Sequence, residues 1–184
     1  MAISIVVEDG SIVENANSYI GITYARQYCL QRGIELPVDD DAVVPMIIAA
    51  TDFLESKACK YAGTKTNDKL ALIPSISQEL EWPRKDAFLF GDEDIAFDSH
   101  TIPSELKRAQ AALVIAVSQG IVLLPNIGPL DYITEETVGP ITTKYANPIQ
   151  SGIEMTFTGV DYLLNPLYSE CNICGGFKIS TVRV

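Results

Sequence analysis

PSELKRAQAALVIAVSQG, residues Pro103–Gly120, is the stretch on which the reading of this chain turns. Proline has a fixed φ and needs no amide partner, so Pro103 suits a first helical position, and Gly120 suits a C-terminal stop. Leu106, Ala109, Leu113, Ala116 and Val117 recur at three- and four-residue spacing and draw one apolar stripe. Beyond Ala111 the opposite side turns apolar as well, through Val114 and Ile115, and a helix apolar nearly all round is buried on more than one side. Ala109, Ala111, Ala112 and Ala116 let other backbones approach closely. The stretch is expected to be the core helix of a small domain.

Working outward, two further helices are expected before it. Ile22–Arg32, stopped by Gly33, places Tyr24, Ala25, Tyr28 and Cys29 on one face. Asp39-Asp40-Asp41 offer capping and dipole-matched charge to a second helix over Ala42–Tyr61, with Pro45 tolerated in its first turn. Its stripe is Val43, Met46, Ile47, Ala50, Phe53, Leu54 and Ala58. The amino-terminal MAISIVVEDG reads as a short strand or extended arm ending in a turn at Asp9-Gly10. Residues 62–101 are broken by Gly63, Asn67, Pro74, Pro83 and Gly91 and read as a long loop, with Trp82, Pro83 and Arg84 expected to anchor it to the helices. YITEETVGPITTKY, Tyr132–Tyr145, reads as two short strands about Val138-Gly139-Pro140. A last short helix is expected over Val160–Leu167. The expected fold is therefore mainly α: a small helical bundle around a central Ala-rich helix, with extended β arms or a hairpin and a C-terminal tail. The expected division is a helical domain over 1–168 and an arm over 169–184.

The chain has 184 residues, enough for one domain with a sizeable core. Thirteen basic against twenty-four acidic residues give a net charge of -11, which repels phosphate and removes the main attractive force from general nucleic-acid binding. The N-terminus lacks the pattern of a signal peptide, and no window is apolar for long enough to span a membrane, so no membrane partner is expected. Cys29 and Cys59 are expected to face the core as small hydrophobes, and Cys171-x-x-Cys174 supplies only two of the four ligands of a structural zinc site. The sole histidine, His100, has no neighbouring nucleophile or acid in sequence. The acids Asp92, Glu93, Asp94 and Asp98 do not follow a calcium-loop spacing. No catalytic constellation, cofactor motif or metal set is expected, and the chain does not read as an enzyme.

Seven stretches, taken together, resemble a tailed-bacteriophage family of head–tail connector adaptors (head-completion proteins) that also carries the label putative DnaT-like single-stranded-DNA-binding protein. They are VEDGSIVENANSY (7–19), ATDFL (50–54), YAGTKT (61–66), LEWPR (80–84), IPSELKRA (102–109), VGPI (138–141) and VDYLLNPL (160–167). The paired cysteines of the tail depart from that pattern, as does a long stretch before Trp82. The resemblance implies a structural virion protein of the neck, assembled in the host bacterial cytoplasm. It would form a homo-oligomeric ring, expected as a dodecamer, beneath the portal and join capsid to tail. Its partners would be the portal protein and a tail or stopper protein, with DNA passing through the lumen without specific binding. On that reading Val114 and Ile115 form an inter-subunit helix face, and Phe177, Ile179, Val182 and Val184 form a portal-docking tail. The alternative is a single-stranded-DNA-binding protein of phage replication, for which the eight tyrosines are available as stacking groups.

Overall fold

A computed structural model describes residues 4–67, 78–89, 95–125, 135–138, 141–144 and 156–169. Its helices are α1 (Ile22–Leu30), α2 (Asp40–Glu55), α3 (Ser104–Ser118) and α4 (Thr158–Leu164). Short antiparallel pairs join β1 (Thr64–Lys65) to β2 (Arg84–Lys85) and β3 (Glu135–Val138) to β4 (Ile141–Lys144). The β3–β4 register sets Glu135 against Lys144 and Val138 against Ile141. The described architecture is thus mixed, four helices with two small antiparallel ribbons, and corrects the expectation of a mainly α bundle.

α3 packs against α1, α2 and α4. Leu106, Ala109, Ala111, Leu113 and Val114 have no exposed surface, as a stripe widened by alanines allows. Gln110 is just as fully buried. Its Nε2 donates to Ser18 Oγ and Thr51 Oγ1, each at 2.8 Å, and its Oε1 accepts from the Tyr19 amide at 3.1 Å. One carboxamide therefore ties α3 both to α2 and to the segment before α1. A buried amide left without such partners would oppose folding.

α1 stops in a left-handed glycine: Gly33 has φ 73°, and the Ile34 amide reaches back to the Cys29 carbonyl. The Asp39 carboxylate accepts from the Asp41 amide at the start of α2, with Asp40 and Asp41 in the first turn. The helix begins earlier than expected, which moves Pro45 to the sixth position, and it ends at Glu55 rather than Tyr61. There the Ser56 hydroxyl turns back onto the Phe53 carbonyl. Cys59 consequently sits outward on a 3-10 turn (Ala58–Lys60) and is disulfide-bonded, whereas Cys29 is a free, buried thiol. The expectation that both cysteines face the core holds for Cys29 alone.

The amino-terminal segment is folded into the domain rather than extended from it. Val7 pairs with Ser18, and the fully buried Glu8 carboxylate accepts from the amides of Gly10, Ile12 and Val13 at 2.8, 3.0 and 2.9 Å. Gly10 has φ 110°, and a Cβ there would lie 1.9 Å from the His100 carbonyl oxygen, so no other residue fits.

Trp82 is wholly buried behind a cis Trp82–Pro83 bond, edge-on to Tyr61 and Phe97 at centroid distances of 5.9 and 5.7 Å. Arg84 donates from Nε to the Ala62 carbonyl, from Nη2 to the Gly63 carbonyl and from Nη1 to Glu81. These contacts fasten the loop to the end of α2. The 3-10 turn after α4 (Asn165–Leu167) closes the same region, because the Ala62 amide donates to Leu167 and the Ser169 amide to Lys60.

Candidate nucleic-acid interface

On α1 the residues Ala25 and Cys29, one turn apart, have no exposure and point into the core. That orientation turns Tyr24, Gln27 and Gln31 outward. Tyr24 was expected to share the core face with Ala25; it is 37% exposed instead, because the buried arc of this nine-residue helix covers Ala25, Tyr28 and Cys29 and leaves Tyr24 at its edge. Tyr24 and Tyr28 lie with planes 18° apart and centroids 6.4 Å apart. One turn further on, the Arg32 guanidinium sits 3.3 Å above the Tyr28 ring and donates to the Tyr28 carbonyl. Tyr24 and Tyr28 on the helix and Arg32 in the turn just past its C-cap thus form a column of three planar groups, with Tyr24 at its exposed end.

Beside this column Tyr24, Gln27, Tyr28 and Gln31 line a cleft of about 240 Å³. From Ile22 to Gly33 there are two cations, Arg26 and Arg32, and no acid, within a protein of net charge -11. Arg26 is committed to the fold, bonding the Pro37 and Val38 carbonyls and Asp40 at 2.7 Å. Arg32 is exposed and remains on the column. A second concavity, about 390 Å³ beside Ala49, Val117 and the Ile121–Leu124 segment, is apolar and its one charged lining residue is Asp52. It offers neither a ring nor a cation to a phosphate-bearing ligand.

Val114 lies wholly inside this chain's own core and Ile115 is half-buried, so Val114 presents nothing to a neighbouring subunit. Trp82, Pro83 and Arg84 are internal, as described above. Phe177, Ile179, Val182 and Val184 lie outside the described residues, as do Cys171, Cys174 and the acidic tip Asp92–Asp94. His100 is exposed, with Nδ1 3.0 Å from Ser99 Oγ. Among the described residues no group of three or more His, Cys, Asp and Glu could hold a metal ion, and no helix is long and apolar enough to cross a membrane. The buried polar pair that sequence reading missed is Tyr19 and Glu55: Tyr19 Oη donates to Glu55 Oε1 at 2.5 Å and accepts from the Trp82 amide at 3.2 Å. Burial pushes the Glu55 carboxyl up to about 7.

The chain belongs to a defined protein family, whose pattern matches residues 3–184. That family is described as "Putative DnaT-like ssDNA binding protein". No curated protein and no solved structure matches the chain. The family's description agrees with the alternative reading of the sequence and overturns the first one. The connector-adaptor assignment, its ring, its portal and stopper partners and the idea of DNA passing without specific binding are corrected accordingly. The physical weakness lay in treating -11 as a property of every surface. Charge summed over a chain does not describe one face, and the Ile22–Gly33 segment holds two cations and no acid.

Proposed function

We propose that the protein binds single-stranded DNA, non-enzymatically, through the outer face of α1. The observation that carries this reading is the column Tyr24–Tyr28–Arg32 in the acid-free segment Ile22–Gly33 of an acidic chain. Every base has a π-face, so an exposed ring next to a cation accepts unpaired bases, whereas a duplex hides those faces in its own stack. Membership of a family described as binding single-stranded DNA supports the same reading.

The test is fluorescence anisotropy of a labelled oligonucleotide, single-stranded and then annealed, over a range of salt. Single strands are expected to bind and duplex to bind much more weakly. With Arg32 as the cation on the column, the slope of log affinity against log salt should be only about -1, corresponding to one or two phosphates. Tyr24→Ala should weaken binding by about 1–3 kcal/mol, the worth of one stacked base. Absence of binding, or binding indifferent to Tyr24→Ala, would overturn the assignment.

A further inference from the structure

We infer that the α1 cleft reads the base it stacks, and that it takes a strand presenting an unpaired adenine. The inference rests on the single-strand reading above and adds to it a base preference, located in Gln27 and Gln31. Both glutamines are exposed and line the cleft together with the two tyrosines. A carboxamide is a donor beside an acceptor, and it pairs best with an edge that offers the complementary pair. Adenine presents a donor beside an acceptor on both its edges, N6–H with N1 and N6–H with N7. Guanine offers two acceptors on its N7 edge and matches a carboxamide only through O6 with N1–H or N3 with N2–H, and the pyrimidines have one hydrogen-bonding edge only. Two carboxamides a helical turn apart, lining one cleft, can therefore engage adenine across its adjoining N1, N6 and N7 groups, an arrangement that no other base presents.

Electrostatics favours such a mechanism. With a net charge of -11 and one available cation on the column, backbone attraction is too small to hold a strand by its phosphates. Selectivity must then come from the bases. Tyr24 provides the plane, Arg32 stiffens Tyr28 from behind, and the glutamines meet the base edge.

The experiment uses the full chain and a short labelled oligothymidylate whose central position is dT, dA, dG or dC. This design leaves strand length and charge constant and avoids the self-stacking of adenine runs. The dA strand should bind roughly tenfold more tightly than the dT strand, with dG between them. Gln27→Ala combined with Gln31→Ala should bring the four strands within about twofold of each other, with the dA strand losing the most affinity. Both positions are exposed, so the variant is expected to fold, and an unaltered thermal melt would establish that it does. Equal affinities in the unaltered protein, or a dA preference that survives the double substitution, would overturn the inference and leave single-strand binding intact. Failure of all four strands to bind would instead refute the proposed function.

Discussion

Replacing Glu55 by glutamine should remove most of the pH dependence of stability between pH 5 and 8. Glu55 ends α2 beneath the Trp82 loop, with Oε1 on Tyr19 and Oε2 accepting the Glu81 amide at 2.9 Å. Burial raises its pKa from 4.5 to about 7, partly offset by the hydrogen bonds from Tyr19 and the Glu81 amide. A carboxyl raised in the folded state binds its proton more tightly there than in the unfolded chain. Its contribution is therefore fully present below the unfolded value near 4.5 and lost as pH rises through about 7. At about 1.4 kcal/mol per unit, the loss across that window is on the order of 3 kcal/mol. Asp9 and Asp98 are lowered by hydrogen bonds from Ser11 and Thr101, so they act in the opposite sense, and only below their ordinary value of 3.8. Urea unfolding at closely spaced pH values measures the curve directly. The unaltered protein should lose stability from pH 5 to 8 and Glu55→Gln should stay nearly flat. The glutamine has one acceptor oxygen for two donors, the Tyr19 hydroxyl and the Glu81 amide, so the slope of the curve, not its height, is the readout. An identical decline in both proteins would refute the assignment of the effect to Glu55.

Two substitutions test the fold around α3. Gly10→Ala forces a Cβ to within 1.9 Å of the His100 carbonyl oxygen at a φ of 110°, and should cost at least about 2 kcal/mol in urea unfolding. A loss under about 0.5 kcal/mol would mean that the loop simply shifts away. Gln110→Leu strands the Tyr19 amide and takes one donor away from the Ser18 and Thr51 hydroxyls, which keep their bonds to Ile20 and Ile47. A loss of about 2–4 kcal/mol is expected, and stabilisation by the added apolar volume would contradict it.

α3 was legible because its information is local: a proline, a glycine and an apolar stripe at helical spacing are all visible in eighteen consecutive letters. The Asp39 cap of α2 and the paired strands around 139–140 were legible for the same reason. What stayed hidden depends on contacts between distant residues. Gln110 meets Tyr19 across 91 positions, and Trp82 meets Tyr19 across 63, so no window of sequence contains either bond. The turn at Gly10 could be anticipated from Asp9-Gly10, but not that Glu8 would be buried to hold three amides there. Tyr24 was misplaced because Tyr24, Ala25, Tyr28 and Cys29 span more arc than one partner can cover. Ala25, Tyr28 and Cys29 went inside, and the Tyr24 ring at the edge of the arc stayed out.

The candidate site was legible in principle, by counting charge element by element instead of over the whole chain. α2 carries Asp40, Asp41, Asp52 and Glu55, while Ile22–Gly33 carries none. That segregation has a physical consequence for how a strand could be held. An acidic body repels phosphate least where its surface is neutral or positive, and the acid-free face of α1 is one such surface, so a strand can approach there without being bound strongly. The Tyr24 ring then supplies the attraction at short range, where screening by salt matters least. A basic groove would grip any polyanion, duplex included, and lose its hold in salt. An acidic protein with one aromatic, acid-free face discriminates in the other direction: it rejects polyanions whose bases are buried in a stack and accepts those whose bases are free. On this argument the net charge of -11 is part of the selectivity for single strands rather than an objection to it.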